Sequence, residues 1–285
     1  MALGAERVES HVRNGNRLFS LSTVTDVTWL RTEDEGQIRW LTLDRPESKN
    51  AIPFDGFPTL RDAFVDFEGS SQRVLIVSGG SGAFCAGADL DPEAQEDMTS
   101  VVDRHQRMKV IEEAATALHR VTKPTIAAVD GYAVGAGMNL ALGCDLVIVA
   151  ESALFSEIFV KRGLTVDFGG TWLLPRLVGL QRAKELALSG RMVGADEAVK
   201  IGLALEVVST DLLHERAKDL AESLLAGGPV GQMFSKQALD ASFEMSFSEA
   251  ISWEGQSQSI AFGTEDSTEG IAAFLEKRKP EWKGR

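Results

Sequence analysis

Two glycine-rich turns are the features of this sequence best suited to chemistry. One spans residues 79–89 and the other spans residues 131–137, and each follows an apolar run that predicts a buried strand. Glycine lets the backbone approach a ligand closely, and the first turn of a helix leaves N–H groups without partners in the helix. An isolated G-x-G would indicate only a tight turn. Two such turns, each offering one N–H, predict a site that holds a carbonyl oxygen as it becomes negative.

The segments around these turns alternate between strand and helix patterns. Residues 125–150 have the order strand, glycine turn, helix, strand, which predicts an α/β layer. Residues 24–44 predict a hairpin whose turn lies at residues 33–36. From Thr210, a predicted helix N-cap, the pattern is helical to the C-terminus. The predicted divisions are an N-terminal extension over residues 1–22, an α/β core over residues 23–209 and a C-terminal helical subdomain over residues 210–285.

Length, composition and charge narrow the class of protein. The 285 residues suffice for one large domain, and 44% hydrophobic with 25% charged residues is typical of a globular protein. The formal net charge of −13 disfavours nucleic acid as a partner. No apolar stretch resembles a spanning helix or a secretory signal, so we expect no membrane association and a cytoplasmic location. Two cysteines and four scattered histidines predict neither a disulfide framework nor a metal site.

Four motifs, in this order, resemble the crotonase superfamily, also called the enoyl-CoA hydratase/isomerase family. They are residues 84–89 (FCAGAD), 123–131 (KPTIAAVDG), 135–137 (GAG) and 144–146 (CDL). The resemblance implies an α/β crotonase fold, which is a spiral of ββα units with a C-terminal helical subdomain. That subdomain would mediate formation of a homotrimer or of a hexamer made of two trimers, and the resemblance does not distinguish the two. The implied substrate is an acyl-CoA thioester, with coenzyme A as part of the substrate and no separate cofactor.

The resemblance assigns the two oxyanion donors by motif position. They are the backbone N–H groups of Ala88 and Ala136. Removing a proton beside a thioester carbonyl generates an enolate, and two backbone donors stabilise its charge. One such donor typically lowers the barrier by about 2.7–4 kcal/mol. Many relatives have glycine at the second position, but alanine retains the N–H.

The resemblance also locates the two glutamates of the hydratase branch, and both are absent. Their positions are occupied by Asn139 and Phe159. Hydration needs one group to activate water and another to protonate the neighbouring carbon, and neither side chain transfers a proton. Glu157 is two residues from the second position, so it would need a local shift to replace that base. The ordinary hydratase mechanism is therefore not expected.

Asp167 is the remaining candidate base. It matches an aspartate of dienoyl-CoA isomerases and of the ring-epoxide isomerase of phenylacetate degradation, and residues 169–176 (GGTWLLPR) resemble the latter enzyme in particular. One base suffices to move a proton between two carbons of a 3-enoyl thioester. Phe159, Val166 and Phe168 are apolar neighbours, and a raised pKa of Asp167 would suit a base, but the sequence does not show whether the carboxyl group is desolvated. The alternative is that Asp167 caps the helix predicted to begin near Gly170.

A local basic patch can bind an anionic ligand despite the negative net charge. The loop at residues 45–51 resembles the family segment that lines the adenine and pantetheine end of coenzyme A. Asp89 and Asp145 are each expected to bond loop amides rather than to transfer protons. The predicted coenzyme A-binding residues are Arg45, Lys49, Ala86, Asp89 and Lys277.

Three functions are compatible with these residues. The favoured one is isomerisation of an enoyl-CoA double bond with Asp167 as the base. The second is hydration of an enoyl-CoA by an atypical acid such as Glu157. The third is acyl-CoA binding without catalysis by a protein that keeps the fold and the oxyanion hole.

Overall fold

A six-stranded sheet and a four-stranded sheet organise the computed structural model, which describes residues 28–90 and 100–285. The predicted N-terminal extension, residues 1–22, lies outside the described residues. The strands are β1 (Leu30–Glu35), β2 (Ile38–Leu43), β3 (Val74–Gly79), β4 (Ala83–Cys85), β5 (Thr125–Val129), β6 (Tyr132–Val134), β7 (Leu146–Ala150), β8 (Leu154–Ser156), β9 (Val193–Gly194) and β10 (Glu206–Val208).

Ten helices accompany these sheets in the described residues, and the last of them ends at Glu276. They are α1 (Phe57–Gly69), α2 (Val101–His119), α3 (Ala136–Leu142), α4 (Gly170–Val178), α5 (Leu180–Ser189), α6 (Ala195–Ile201), α7 (Leu213–Leu225), α8 (Pro229–Ala241), α9 (Phe247–Phe262) and α10 (Glu265–Glu276). Helix α3, which carries the second glycine turn at its start, is buried along its whole length.

The larger sheet has the strand order β1-β2-β3-β5-β7-β10. Only the edge hairpin of β1 and β2 is antiparallel, and the remaining neighbours are parallel. Strands β3, β5 and β7 are apolar and buried over most of their length, as expected for parallel strands that are covered on both faces. Their pattern explains why these strands were recognisable in the sequence.

The smaller sheet has the order β4-β6-β8-β9 and was not predicted. Its strands have two or three residues, which is too short for a periodic pattern to be recognised. Each of the first three follows a strand of the larger sheet after a short turn, so the chain repeatedly crosses from one sheet to the other. These paired strands are the ββα units that the resemblance implied, and the α/β fold prediction is confirmed.

The C-terminal helices differ in what they cover. Helix α7 packs on the larger sheet through Leu213, Ala217 and Ala221, which contact a buried cluster that includes Trp40 and Ile76. Helices α8, α9 and α10 instead expose large apolar side chains. These are Leu239, Phe247, Ile251, Ile260, Phe262, Ile271, Phe274 and Leu275. The division of the chain at residue 210 stays a prediction.

Two local predictions are wrong. The hairpin turn does not lie at residues 33–36, because β1 continues to Glu35, which pairs with Ile38. Its acidic residues face outward on an edge strand, so they do not interrupt pairing. Thr210 does not cap a helix with its side chain, because it begins a 3-10 turn and α7 starts only at Leu213.

Within the described residues, no helix combines the length and the apolar character needed to cross a membrane.

Candidate active site

The two glycine-rich turns meet, as the sequence predicted. A β-carbon on Gly87 would lie 3.5 Å from the backbone nitrogen of Ala136 and 2.8 Å from the carbonyl oxygen of Val134. A β-carbon on Gly137 would lie 2.2 Å from the carbonyl oxygen of Cys85. Only glycine permits backbones to approach this closely. The end of β4 therefore packs directly against the first turn of α3.

The backbone N–H groups of Ala88 and Ala136 have no acceptor within the described part of the chain. Ala88 forms a parallel bridge with Ile52, in which Ile52 N donates to Gly87 O and Asp89 N donates to Ile52 O, each at 2.8 Å. This pattern directs the N–H of Ala88 itself away from Ile52. Ala136 is the first residue of α3, where an N–H has no partner in the helix. Both groups are thus available to a ligand, which is what an oxyanion hole requires.

The loop at residues 45–52 is tied to the first glycine turn and brings four predicted coenzyme A-binding residues together. Ala86 N donates to Lys49 O at 3.0 Å, so the amide of Ala86 is already used. The guanidinium of Arg45 pairs with the carboxylate of Asp89. The Nζ of Lys49 lies 4.4 Å from the centre of the Tyr132 ring. A coenzyme A contact for any of these residues stays a prediction.

Lys277 is separate from that group in its described contacts. It follows α10 with a positive φ of 56°, and its N–H donates to Phe274 O. None of the hydrogen bonds or ion pairs of the described chain joins it to Arg45 or Lys49. Lys277 therefore does not share one site with them by direct contact.

The two positions without a hydratase glutamate both lie at the glycine turns. A β-carbon on Gly135 would be 3.6 Å from Cζ of Phe159, so the ring lies against the turn that precedes Ala136. Asn139 is fully buried one turn into α3. An apolar ring and an amide therefore stand where hydratase glutamates would be expected.

Asp167 lies in the turn that precedes α4 and does not cap that helix. The N-cap is Gly169, which has a φ of 82° and no side-chain hydrogen bond, so the capping alternative is wrong. The Oδ1 atom of Asp167 is buried and has no hydrogen-bond partner in the described chain. Burial raises the pKa of Asp167 to about 6. An unpaired and partly desolvated carboxylate is a suitable proton acceptor near neutral pH.

Asn139 connects Asp167 to a second carboxyl group, that of Glu157. Its Nδ2 donates to Asp167 O at 3.0 Å and to Oε2 of Glu157 at 3.3 Å. Glu157 is 1% exposed, and burial, together with the charge of Asp167, raises its pKa to about 7. The Asn139 amide thus joins the Glu157 carboxyl group to the backbone of Asp167, and both of these acidic residues have raised pKa values.

Asp145 has the structural role that the sequence predicted. Its Oδ2 accepts hydrogen bonds from the backbone N and the hydroxyl of Thr125, at 2.7 and 2.9 Å, and from Lys236 at 2.8 Å. These contacts join β5 to the start of β7 and to α8.

Gly170 is where α4 approaches the Asn139 amide. A β-carbon at this position would lie 2.4–2.6 Å from the Nδ2, Oδ1 and Cγ atoms of Asn139. Gly170→Ala is therefore expected to lower the free energy of unfolding by about 1–3 kcal/mol, through overpacking, and to reduce activity. Thermal unfolding tests this prediction. Gly194→Ala is the matched control, because a β-carbon there meets nothing within 4 Å. Equal unfolding temperatures for the two variants would contradict the tight approach.

A cavity of about 540 Å³ lies next to the Asp167 turn but is not the site described above. Phe168, Trp172 and Leu173 line it together with residues of α2 and α8. Neither Ala88 nor Ala136 lies in its wall. The cavity therefore does not contain the proposed oxyanion donors.

Comparison with known proteins identifies the family. The sequence profile of the enoyl-CoA hydratase/isomerase family matches residues 33–285. The chain belongs to this family. The family assignment made from the four motifs is thereby confirmed.

The names of similar proteins within the enoyl-CoA hydratase/isomerase family denote different reactions. The chain is 33% identical to the short-chain-enoyl-CoA hydratase of Clostridium acetobutylicum, over 87% of this chain and 95% of that protein. It is 36% identical to the 1,2-epoxyphenylacetyl-CoA isomerase of Escherichia coli, over 88% and 97% respectively. The crystal structure of an enoyl-CoA hydratase from Bacillus anthracis superposes with a TM-score of 0.85 at 31% identity, covering 90% of this chain and all of that one.

The contact of Glu157 with Asn139 is the part of this family member's site that the sequence did not predict. Glu157 is 18 residues from Asn139, and Asp167 is 28 residues from it. Counting along the chain placed Glu157 two residues from position 159, where the second hydratase glutamate is expected. It did not predict that Glu157 contacts Asn139. The available signal was the occurrence of a glutamate and an asparagine in two otherwise apolar segments, since such residues are rarely buried without partners.

Proposed function

We propose that this protein moves the double bond of an enoyl-CoA thioester, with Asp167 as the base. The observation that carries the proposal is the buried, unpaired Oδ1 of Asp167 in a site where both hydratase positions lack a carboxylate. Asn139 ties the Asp167 backbone to α3, the helix whose first N–H is the proposed donor of Ala136. One base and two amide donors are sufficient for this reaction.

The proposed reaction uses these groups in two proton transfers. Asp167 removes a proton from the carbon between the thioester carbonyl and the double bond of a 3-enoyl-CoA. The electron pair of the broken C–H bond moves into a dienolate, whose oxygen accepts hydrogen bonds from the N–H groups of Ala88 and Ala136. Protonated Asp167 then returns the proton to the far carbon and forms the conjugated 2-enoyl-CoA. The reaction consumes no cofactor and requires no metal, and coenzyme A serves as the handle of the substrate.

A paired assay tests the proposal. One sample contains a 3-enoyl-CoA and is monitored for the appearance of conjugated absorbance, and the other contains a 2-enoyl-CoA and is monitored for its loss. Conjugated absorbance that appears with the 3-enoyl-CoA, without loss of absorbance with the 2-enoyl-CoA, supports isomerisation. Loss of conjugated absorbance alone supports hydration, and binding of both thioesters without turnover supports a binding protein.

The pH dependence follows from the raised pKa of Asp167. The base must be ionised, so kcat/KM for isomerisation is expected to rise with pH through about 6, the pKa of Asp167. An unperturbed aspartate would give this rise near pH 3.9. Initial rates measured between pH 4.5 and pH 7 test the prediction. A flat profile over this range would contradict the assignment of the buried carboxylate as the base.

Hydration is the second candidate, and the buried Glu157 favours it. A carboxyl group with a pKa of about 7 can supply a proton at neutral pH, and a named hydratase is among the relatives. Against it, Glu157 is 1% exposed and is already engaged by Asn139. We therefore favour isomerisation.

We also propose that α8, α9 and α10 form the contacts of a homotrimer or of a hexamer made of two trimers. Phe247 and Phe274 on these helices are 82% and 81% exposed, which is unusual for large apolar side chains. Light scattering of the purified protein should give three or six times the 30.8 kDa chain mass. A monomer would contradict this proposal. A cytoplasmic location stays a prediction.

A further inference from the structure

Glu157 is a buried carboxyl group that the proposed isomerisation does not use. It lies between β8 and the 3-10 turn at residues 158–162, and within the described residues no cation is among the groups that shift its pKa. Lys161 and Arg162, on that turn, are exposed to solvent. The charged group that acts on Glu157 is Asp167, which is also negative when ionised. An ionised Glu157 would thus be a desolvated charge without a counter-ion, which is a costly arrangement.

The hydrogen bonds around Asn139 lack one donor. The Oδ1 of Asn139 and the Oε1 of Glu157 are both buried, and neither has a partner in the described chain. The orientation of the amide is defined, because the backbone oxygen of Asp167 can only accept and lies 3.0 Å from Nδ2. Rotating the amide would place two oxygens against each other. Each of these two buried acceptors, which belong to neighbouring side chains, lacks the hydrogen-bond donor that a buried polar atom normally has.

We propose that Glu157 is protonated in the resting enzyme and pairs with Asn139 as an acid with an amide, thereby positioning Asp167. The amide N–H donates to Oε2 of Glu157, and the acid O–H supplies the donor that Oδ1 of Asn139 lacks. The same amide nitrogen donates to the Asp167 backbone, and the close approach of Gly170 restricts movement of the amide. Glu157 is a positioning residue here and exchanges no proton with the substrate.

The protonated state has a consequence for the site. A neutral Glu157 leaves Asp167 as the one negative group of this network. Ionisation of Glu157 would remove the donor to Asn139 and add a negative charge where the reaction creates an enolate. The positioning role rests on the proposed function, because it treats Asp167 as the base, whereas the protonation of Glu157 does not depend on it.

The test compares Glu157→Gln with Glu157→Ala in the full-length protein. Glutamine reproduces the neutral acid, since its NH₂ can donate to Oδ1 of Asn139 and its oxygen can accept from Nδ2. We expect glutamine to rescue kcat to within about threefold of the wild type, and alanine to lower it by at least tenfold. Above pH 7 the wild-type rate should fall, while the glutamine variant should lack this decline.

Two measurements on the free protein test the protonation without any substrate. The pKa of Glu157 is raised above its ordinary value of 4.5, so the unfolded chain loses this proton first as pH rises. As pH rises from about 4.5 to 7, the free energy of unfolding of the wild type should therefore fall relative to that of Glu157→Gln. Above pH 7 the difference should change little. The difference in unfolding temperature should be near zero at pH 4.5 and several degrees in favour of glutamine at pH 8. An infrared difference spectrum at pH 6 should show a protonated carboxylic acid that is lost in Glu157→Gln.

Each other outcome overturns a defined part of the proposal. A pH-independent difference in unfolding temperature, without the acid band, would show that Glu157 is ionised. The acid band with no turnover by Glu157→Gln would show that Glu157 transfers a proton. The acid band in a protein without isomerase activity would refute the proposed function and its positioning role but not the protonated state.

Discussion

Asp167→Asn is expected to lower kcat for 3-enoyl-CoA isomerisation by about 10²–10⁴-fold, the usual contribution of a positioned acid–base group. Asparagine keeps the size of the side chain but cannot accept the proton. KM should change little, because the carboxylate is not among the groups proposed to bind coenzyme A. The assay is the appearance of conjugated absorbance, and binding of coenzyme A is measured separately by calorimetry.

Stability measurements separate this loss of activity from a loss of structure. Burial raises the pKa of Asp167, so above pH 6 the folded protein contains a desolvated carboxylate that lowers its free energy of unfolding. Asp167→Asn should therefore unfold at the same or a higher temperature than the wild type at pH 8. Asp196→Asn, which changes an exposed aspartate in the first turn of α6, is the matched control and should retain full activity. If Asp167→Asn keeps more than a tenth of the wild-type kcat, Asp167 is not the base.

Ala136→Pro is expected to lower kcat by about 10²–10³-fold, because proline lacks the N–H that would hold the enolate oxygen. Ala136 is the first residue of α3, a position where proline is well tolerated because no hydrogen bond within the helix is lost. The residue before it, Gly135, has φ 58° and ψ −128°, outside the helical region that a following proline disfavours. The variant thus removes the donor with little change to the helix.

Ala136→Gly is the control for this substitution, because it keeps the N–H and removes only the methyl group. It should retain kcat within a few-fold, although glycine in a helix costs up to about 1 kcal/mol of stability. Circular dichroism and thermal unfolding of both variants establish that they are folded. Equal activities for the proline and glycine variants would show that the amide of residue 136 takes no part in stabilising the enolate.

The larger sheet was predictable because its central strands are buried on both faces. Strands β3, β5 and β7 are apolar runs long enough to be distinguished from turns. The smaller sheet was not predictable, because a strand of two or three residues is too short to show the alternation of apolar and polar residues that identifies a strand. The hairpin turn was misplaced because Glu33, Asp34 and Glu35 are polar residues typical of a turn, whereas they lie on the exposed edge strand β1.

The sequence by itself determined the family, the two glycine turns and the absence of glutamates at residues 139 and 159. Glycine is required at residues 87 and 137 by close backbone contacts, so local sequence carries that information. The tertiary structure decided which buried groups meet. Asn139 contacts both Glu157 and the Asp167 backbone only because α3, the end of β8 and the start of α4 pack together. The pKa of a carboxyl group depends on the burial and the partners that this packing creates, and neither is encoded in the spacing of residues along the chain.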